Sequence, residues 1–189
     1  KIQKMGVIKS CLFISLYIWN YGEASSPDGI TYSDWDGAQT CRPLSYAQPT
    51  TESGIINEIL DAASAGDQLR VVGAGHSFSG IQLIDNDENT NNGQPSGRLI
   101  NLDRYKGIIN VIWSDDLTSA QVTIKAGSRI RDINTDLENL GLSFINLGSC
   151  AAQSIGGATS TGTHGTGRLL GSMSTQIIAM KMINSKGIV

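Results

Sequence analysis

Residues 71–80, VVGAGHSFSG, put one of the chain's two histidines at the tip of a glycine turn. Leu69, Val71 and Val72 read as the end of a buried strand, and Gly73 and Gly75 let the backbone turn and come close to a ligand. A turn of this kind offers backbone N–H groups to an anion and suits a pyrophosphate. The stretch is not a nicotinamide-type G-x-G-x-x-G fingerprint. That pattern needs a third glycine at position 78, where Phe78 stands, and a clear ribose-binding acid on a following strand is missing.

A second tract, LGSCAAQSIGGATSTGTHGTG at 147–167, is rich in Gly, Ser and Thr and poor in charge. It cannot drive folding by burial. It can line a polyanionic ligand with backbone N–H groups and hydroxyls at close range. The apolar Ile155 and the regular small residues leading to His164 separate it from a flexible linker. No C-x-x-C pair is present, and one remote histidine cannot build a metal site, so no metal is expected.

The elements that must position these tracts form a mixed α and β pattern. TTESGIINEILDAASAG predicts a helix with Ile55, Ile56, Ile59, Leu60 and Ala63 on one face, capped by Thr or Ser and ended by Gly66. QLRVVG follows as a short strand, and 85–98 as a polar loop. LINLDR and INVIW predict strands, and AQVTIKAG alternates Val122, Ile124 and Ala126 on one face. SRIRDINTDLENLGL predicts a second helix with Ile130, Ile133, Leu137 and Leu140 in one stripe and Gly141 as its stop. TQIIAMKMINSKGIV predicts a strand, a turn at Asn184 to Gly187, and the first residues of a returning strand. That pattern leads us to expect a protein that continues beyond Val189.

At 189 residues the chain can bury one good core, or two smaller lobes. The net charge of −3, with scattered Lys and Arg, gives no electrostatic case for nucleic acid. Lys1, Lys4 and Lys9 lead into the apolar run Cys11 to Trp19, followed by small residues at Gly22 and Ala24. That order predicts a secretory signal over 1–24, with a membrane anchor as the alternative. Met5 is a candidate start, or the chain is a piece of a longer one. After removal of the signal, Cys41 and Cys150 would remain, either paired in an exported protein or as two free thiols.

Taken together, VVGAGHSFSG and SIGGATSTGTHGTG resemble the flavin-binding domain of the vanillyl-alcohol oxidase superfamily, the p-cresol methylhydroxylase (PCMH) type. Within it they are most similar to the sugar-lactone and polyol oxidases: gulonolactone, arabinonolactone and alditol oxidases. YSDWDGAQTCRPLSYAQPTTE also resembles that branch, so the likeness spans about residues 32–189. The resemblance implies an α+β fold of two small α+β subdomains with FAD between them, truncated at the C-terminus and lacking the substrate domain. It implies that Val71, Val72, Gly73, Ala74, Gly75, His76 and Ser77 wrap the FAD pyrophosphate, with His76 bonded to the flavin 8α-carbon. It implies flavin contacts from Ser149, Ser154, Gly157, Thr161, Gly162, Thr163 and His164. No catalytic acid or base is expected in this stretch. The implied activity is oxidation of a sugar lactone or polyol hydroxyl with oxygen as acceptor, giving hydrogen peroxide. A dehydrogenase using another acceptor and a degenerate binding protein are the alternatives.

Overall fold

The computed structural model describes residues 30–84 and 95–189. The signal segment and most of the polar loop expected at 85–98 lie outside the described residues.

A short hairpin, β1 (Tyr32–Ser33) with β2 (Thr40–Cys41), opens the described chain. Next comes a three-stranded parallel sheet in the order β3–β5–β4: Ser45–Ala47, Arg98–Asn101 and Leu69–Val72. The middle strand centres on Leu99 and Ile100, both fully buried, as a strand covered on both faces requires. Helix α1 (Glu52–Ala65) connects β3 to β4. Thr51 caps it by accepting from the Gly54 N–H, and Gly66 ends it at φ 72°, the left-handed conformation that glycine adopts without strain.

The expected face of α1 is wider than the observed one. Ile55 and Ala62 are buried, whereas Leu60 and Ala63 are exposed. A sheet of three short strands needs only a narrow stripe. The outer residues Ile56 and Leu60 instead lie beside the turn at Gly187, where an added Cβ would stand 3.1–3.2 Å from their side chains.

The second half begins with the hairpin β6 (Ile108–Trp113) and β7 (Ala120–Ile124). Strand β7 alternates as predicted, with Val122 and Ile124 on the more covered face, whereas β6 carries a register irregularity between Ile108 and Asn110 and does not alternate. Helix α2 (Ile130–Asn139) buries Ile130, Ile133 and Leu137. Leu140 is exposed, because the helix stops at Asn139 and the chain turns away through Gly141 at φ 71°. Two apolar clusters result. Tyr32, Cys41, Val72, Ile84 and Leu99 form one in the first half; Ile130, Ala158 and Met173 form the other in the second. This is the expected pair of small α+β units.

Within the glycine-rich tract, Ile155–Ser160 form a short helix, α3. One expectation needs correction: the tail from 175 forms no strand among the described residues. It makes a 3₁₀ turn at Met173–Gln176, and Ile178, Met180 and Met182 are exposed. No neighbouring strand among the described residues supplies a ladder, and apolar alternation without a partner cannot fix a strand. The turn at Asn184 to Gly187 does form, with Gly187 N–H on the Asn184 carbonyl at 3.0 Å. Cys41 and Cys150 are both free thiols, the first buried.

Candidate functional site

The strand β4 ends at Val72 and delivers the turn 73–78 to the junction of the two halves. The glycine tract reaches the same junction from the other side, because it is laid against the start of α2. Ile130 N–H donates to the Gln153 carbonyl at 3.0 Å, Ile155 N–H to the Ser128 carbonyl at 2.8 Å, and Gly156 N–H to the Ala126 carbonyl at 2.9 Å. A Gly-rich segment has few large side chains to hold it, so these backbone bonds carry much of the ordering.

Ser154 is the point of contact between the two tracts. It stands at the N-cap of α3, yet its hydroxyl does not cap its own helix. It accepts instead from the Ala74 N–H at 2.9 Å, across 80 residues of chain. Gly73 must be a glycine for the same reason: a Cβ there would lie 2.6 Å from the Ser154 hydroxyl oxygen. Gly75 sits at φ 70°, and a Cβ on it would press on the Tyr32 hydroxyl and the Trp35 backbone. Arg129 joins the assembly, donating to Ser154 Oγ at 3.2 Å, to the Ala152 carbonyl at 3.3 Å and to Asp103 at 2.8 Å.

Between the tracts lies a cleft of about 380 Å³, within the size range of small-molecule sites. Every residue from Val71 to Ser77 lines it, together with Ser154, Gly157 and Thr161. The amides of Gly75, His76 and Ser77 make no hydrogen bond to the described residues, so they are available to a ligand anion. Gly157 is open on the cleft side, with no atom within 4 Å of where a Cβ would stand. The cradle therefore fits an elongated group with a pyrophosphate: free amides on one wall, a bare backbone on the other, and no acidic side chain in the lining.

His76 is partly exposed in this lining. Its ring stacks on Trp35, with centroids 4.8 Å apart and planes at 28°. Partial burial, and then the positive charge of Arg129, hold its imidazole below the ordinary histidine range. Both favour the neutral form, which carries the nucleophilic lone pair.

The other expected contacts lie elsewhere. Ser149 is exposed and does not line the cleft, nor do Gly162, Thr163 and His164. Gly162 turns the chain out of α3 at φ 71°. The His164 Nδ1 lies 2.8 Å from the Gly165 carbonyl oxygen. Among the described residues no group of His, Cys, Asp or Glu could hold a metal ion. No described helix is long and apolar enough to cross a membrane. Sequence reasoning passed over Phe78, Ile81, Gln82, Gln153 and Ala158 in the lining, and Trp35 and Arg129 behind it. Phe78 and Ile81 adjoin the motif, at 77% and 65% exposure, and large exposed apolar residues beside a glycine turn were the available signal.

Residues 43–189 match the family model of the FAD binding domain. The chain is 32% identical over 156 residues to the L-gulono-1,4-lactone dehydrogenase of Mycobacterium tuberculosis, covering 82% of this chain and 33% of that protein. It is 31% identical to the D-arabinono-1,4-lactone oxidase of Eremothecium gossypii (82% and 27%) and 33% identical to the L-gulonolactone oxidase of Scyliorhinus torazame (84% and 33%). The chain thus spans about a third of the length of these relatives. Among solved structures, cholesterol oxidase from Brevibacterium sterolicum superposes with a TM-score of 0.57 at 23% identity, covering 71% of this chain and 24% of that one. Phl p 4.0202, a glucose dehydrogenase, gives 0.56 at 19% (76% and 27%). At those identities the likeness is one of fold.

Proposed function

This chain belongs to the FAD-binding domain family, and from that premise we propose that it is the cofactor-holding part of a flavoprotein oxidase acting on a hydroxyl of a sugar lactone or polyol. The observation that carries the reading is the cleft, with the free amides of Gly75, His76 and Ser77 on one wall and Ser154, Gly157 and Thr161 on the other. When bound, FAD supplies the hydride acceptor and passes electrons to oxygen as hydrogen peroxide.

The residues of this chain bind and orient. The amides of residues 75–77 donate to the pyrophosphate, and the Ser154–Ala74 bond fixes the 73–77 turn against α3. Gly157 leaves room for close approach. His76 presents a neutral imidazole nitrogen for attachment to the 8α-carbon, and its lowered proton affinity keeps it neutral at physiological pH. The sugar-lactone names of the relatives in the three organisms above support the substrate class.

The test uses the complete protein with gulonolactone, arabinonolactone and an alditol under air. Peroxide formed with a lactone or alditol is the expected result. Reduction of an artificial dye without peroxide would favour the dehydrogenase reading, which the printed name of the mycobacterial relative supports. Retained flavin with no substrate oxidised would leave a binding protein. Acid precipitation checks attachment: flavin fluorescence should stay with the polypeptide, and His76→Ala should release it. The Lys-flanked apolar run of residues 1–24 supports export, with a membrane anchor as alternative. N-terminal sequencing of native material should then begin near Ser25.

A further inference from the structure

We infer that Trp35, carried by the β1–β2 hairpin, is a positioning residue that orients His76 for bond formation with the flavin; this inference rests on the reading of His76 given above. Trp35 lies outside the segment that matches the FAD-binding domain family, and it does not line the cleft. Its indole meets the lining at His76.

The hairpin is fastened to the 75–78 turn at several points. Trp35 N–H donates to the Gly75 carbonyl at 3.0 Å. The Gln39 side chain donates to the Phe78 carbonyl at 2.9 Å. Tyr32 hydroxyl donates to the Gln82 side chain, which in turn donates to the Ser77 carbonyl at 3.2 Å. The carbonyls of Gly75, Ser77 and Phe78 are therefore held on the hairpin side, while the amides of residues 75–77 are left free.

On this frame the indole covers one face of the imidazole. An imidazole on a glycine turn has two free side-chain torsions, and little else in the turn restrains them. Stacking removes one face from solvent and holds the ring plane, so the ring's edge, where both nitrogens lie, is what remains to meet the cofactor. Trp35 is itself 63% exposed, so burial in the core does not explain its placement. The stack and the backbone bond do.

The step being oriented is a bond from a His76 ring nitrogen to the 8α-carbon. One proton leaves the imidazole and one leaves the 8α-methyl group. The two electrons released pass to dioxygen, which takes up two protons and becomes hydrogen peroxide. Such a step depends steeply on approach geometry, and a displacement of about 1 Å can cost on the order of 100-fold.

The experiment measures the rate at which flavin becomes acid-stable after FAD is added to the full-length apoprotein, alongside total bound flavin in the native state. Trp35→Phe keeps an aromatic face, and Trp35→Leu keeps apolar volume without one. We expect Trp35→Leu to bind FAD but attach it about 10- to 100-fold more slowly, and Trp35→Phe to restore most of the rate. Equal attachment rates in the Phe and Leu variants, whether both fast or both slow, overturn the inference. Failure of the underlying reading is separate: His76→Ala would then retain acid-stable flavin, or wild-type protein would never form it.

Discussion

At the scale of single residues, His76 is governed by what surrounds its ring. Burial and then Arg129 lower its proton affinity, so the unfolded chain binds the proton more readily than the folded one. The neutral ring's contribution to stability is complete above the unfolded value near 6.5, and is lost as pH falls from there through the lower folded value. The same sign applies to the proposed attachment of flavin, which would need the neutral ring. The rate of acid-stable flavin formation should hold its plateau to a pH below 6.5. Arg129→Gln removes the positive charge and should move the acidic fall to higher pH, while Arg129→Lys keeps the charge and should leave it in place. A profile that falls at or above pH 6.5 in the wild-type protein would show that the environment does not keep the ring neutral.

At the scale of elements, α3 separates two kinds of glycine. A Cβ on Gly156 would stand 3.0 Å from the Ala126 carbonyl oxygen, inside the junction with α2. A Cβ on Gly157 would meet nothing, because that side of the helix is the cleft. Gly156→Val should therefore lower thermal stability by an amount equivalent to about 1–3 kcal/mol, as overpacking does. Gly157→Val should melt close to wild type and lose flavin content. The reverse pattern would place the ligand on the wrong face of α3. Gly162 belongs to neither class, since its φ of 71° makes it a turn requirement, costing about 1–2 kcal/mol for a side chain. The motif pattern alone placed Gly157 and Gly162 together.

What was legible follows from the same physics. The stripes Ile55–Ala62 and Ile130–Leu137 obey helical periodicity, and Thr51, Gly66 and Gly141 mark their ends, so α1 and α2 could be read locally. Glycine and hydroxyl content marked the two tracts as candidate ligand segments, and the family resemblance singled out Ser154, Gly157 and Thr161; the structure puts them with the turn 71–77 around one cleft. Helix α3 could not, because IGGATS has weak intrinsic helix preference and is held by backbone bonds to Ala126 and Ser128. Trp35 and His76 are 41 positions apart in the sequence, and nothing local announces that one stacks on the other. Strand β3 and the hairpin β1–β2 are only two or three residues long, too short for an alternation to show.

At the scale of the whole molecule, the cleft exists only if its two halves stay in register, and Arg129 is, with Ser154, one of the side chains that tie them. It bonds to Asp103, just past β5 in the first half, and to Ala152 and Ser154 in the glycine tract. The pair is mostly withdrawn from water, with side chains 22% and 29% exposed. Burial pushes the Asp103 carboxyl above the ordinary range, and outweighs the pull of Arg129, Asn101 and Lys106 in the other direction. Its other oxygen, Oδ1, is buried without a partner. A folded value above the unfolded one means that the carboxylate costs stability once pH rises through that folded value. Desolvation of the carboxylate thus offsets the attraction between the two charges, and the Arg129 hydrogen bonds to Ala152 and Ser154 are the uncharged part of the tie. Asp103→Asn, which keeps an acceptor and removes the buried charge, should leave stability at pH 7 unchanged or slightly raised. Arg129→Met strands the carboxylate and the Ala152 carbonyl, and should cost about 1–3 kcal/mol along with faster loss of non-covalently bound flavin. Adding Asp103→Asn to Arg129→Met should then recover part of that stability, because the orphaned group is no longer charged. Urea unfolding of the full-length protein, with flavin retention measured beside it, distinguishes the cases. If Asp103→Asn alone costs as much as Arg129→Met, the halves are held by charge after all, and raised salt should weaken flavin binding in the wild-type protein as well.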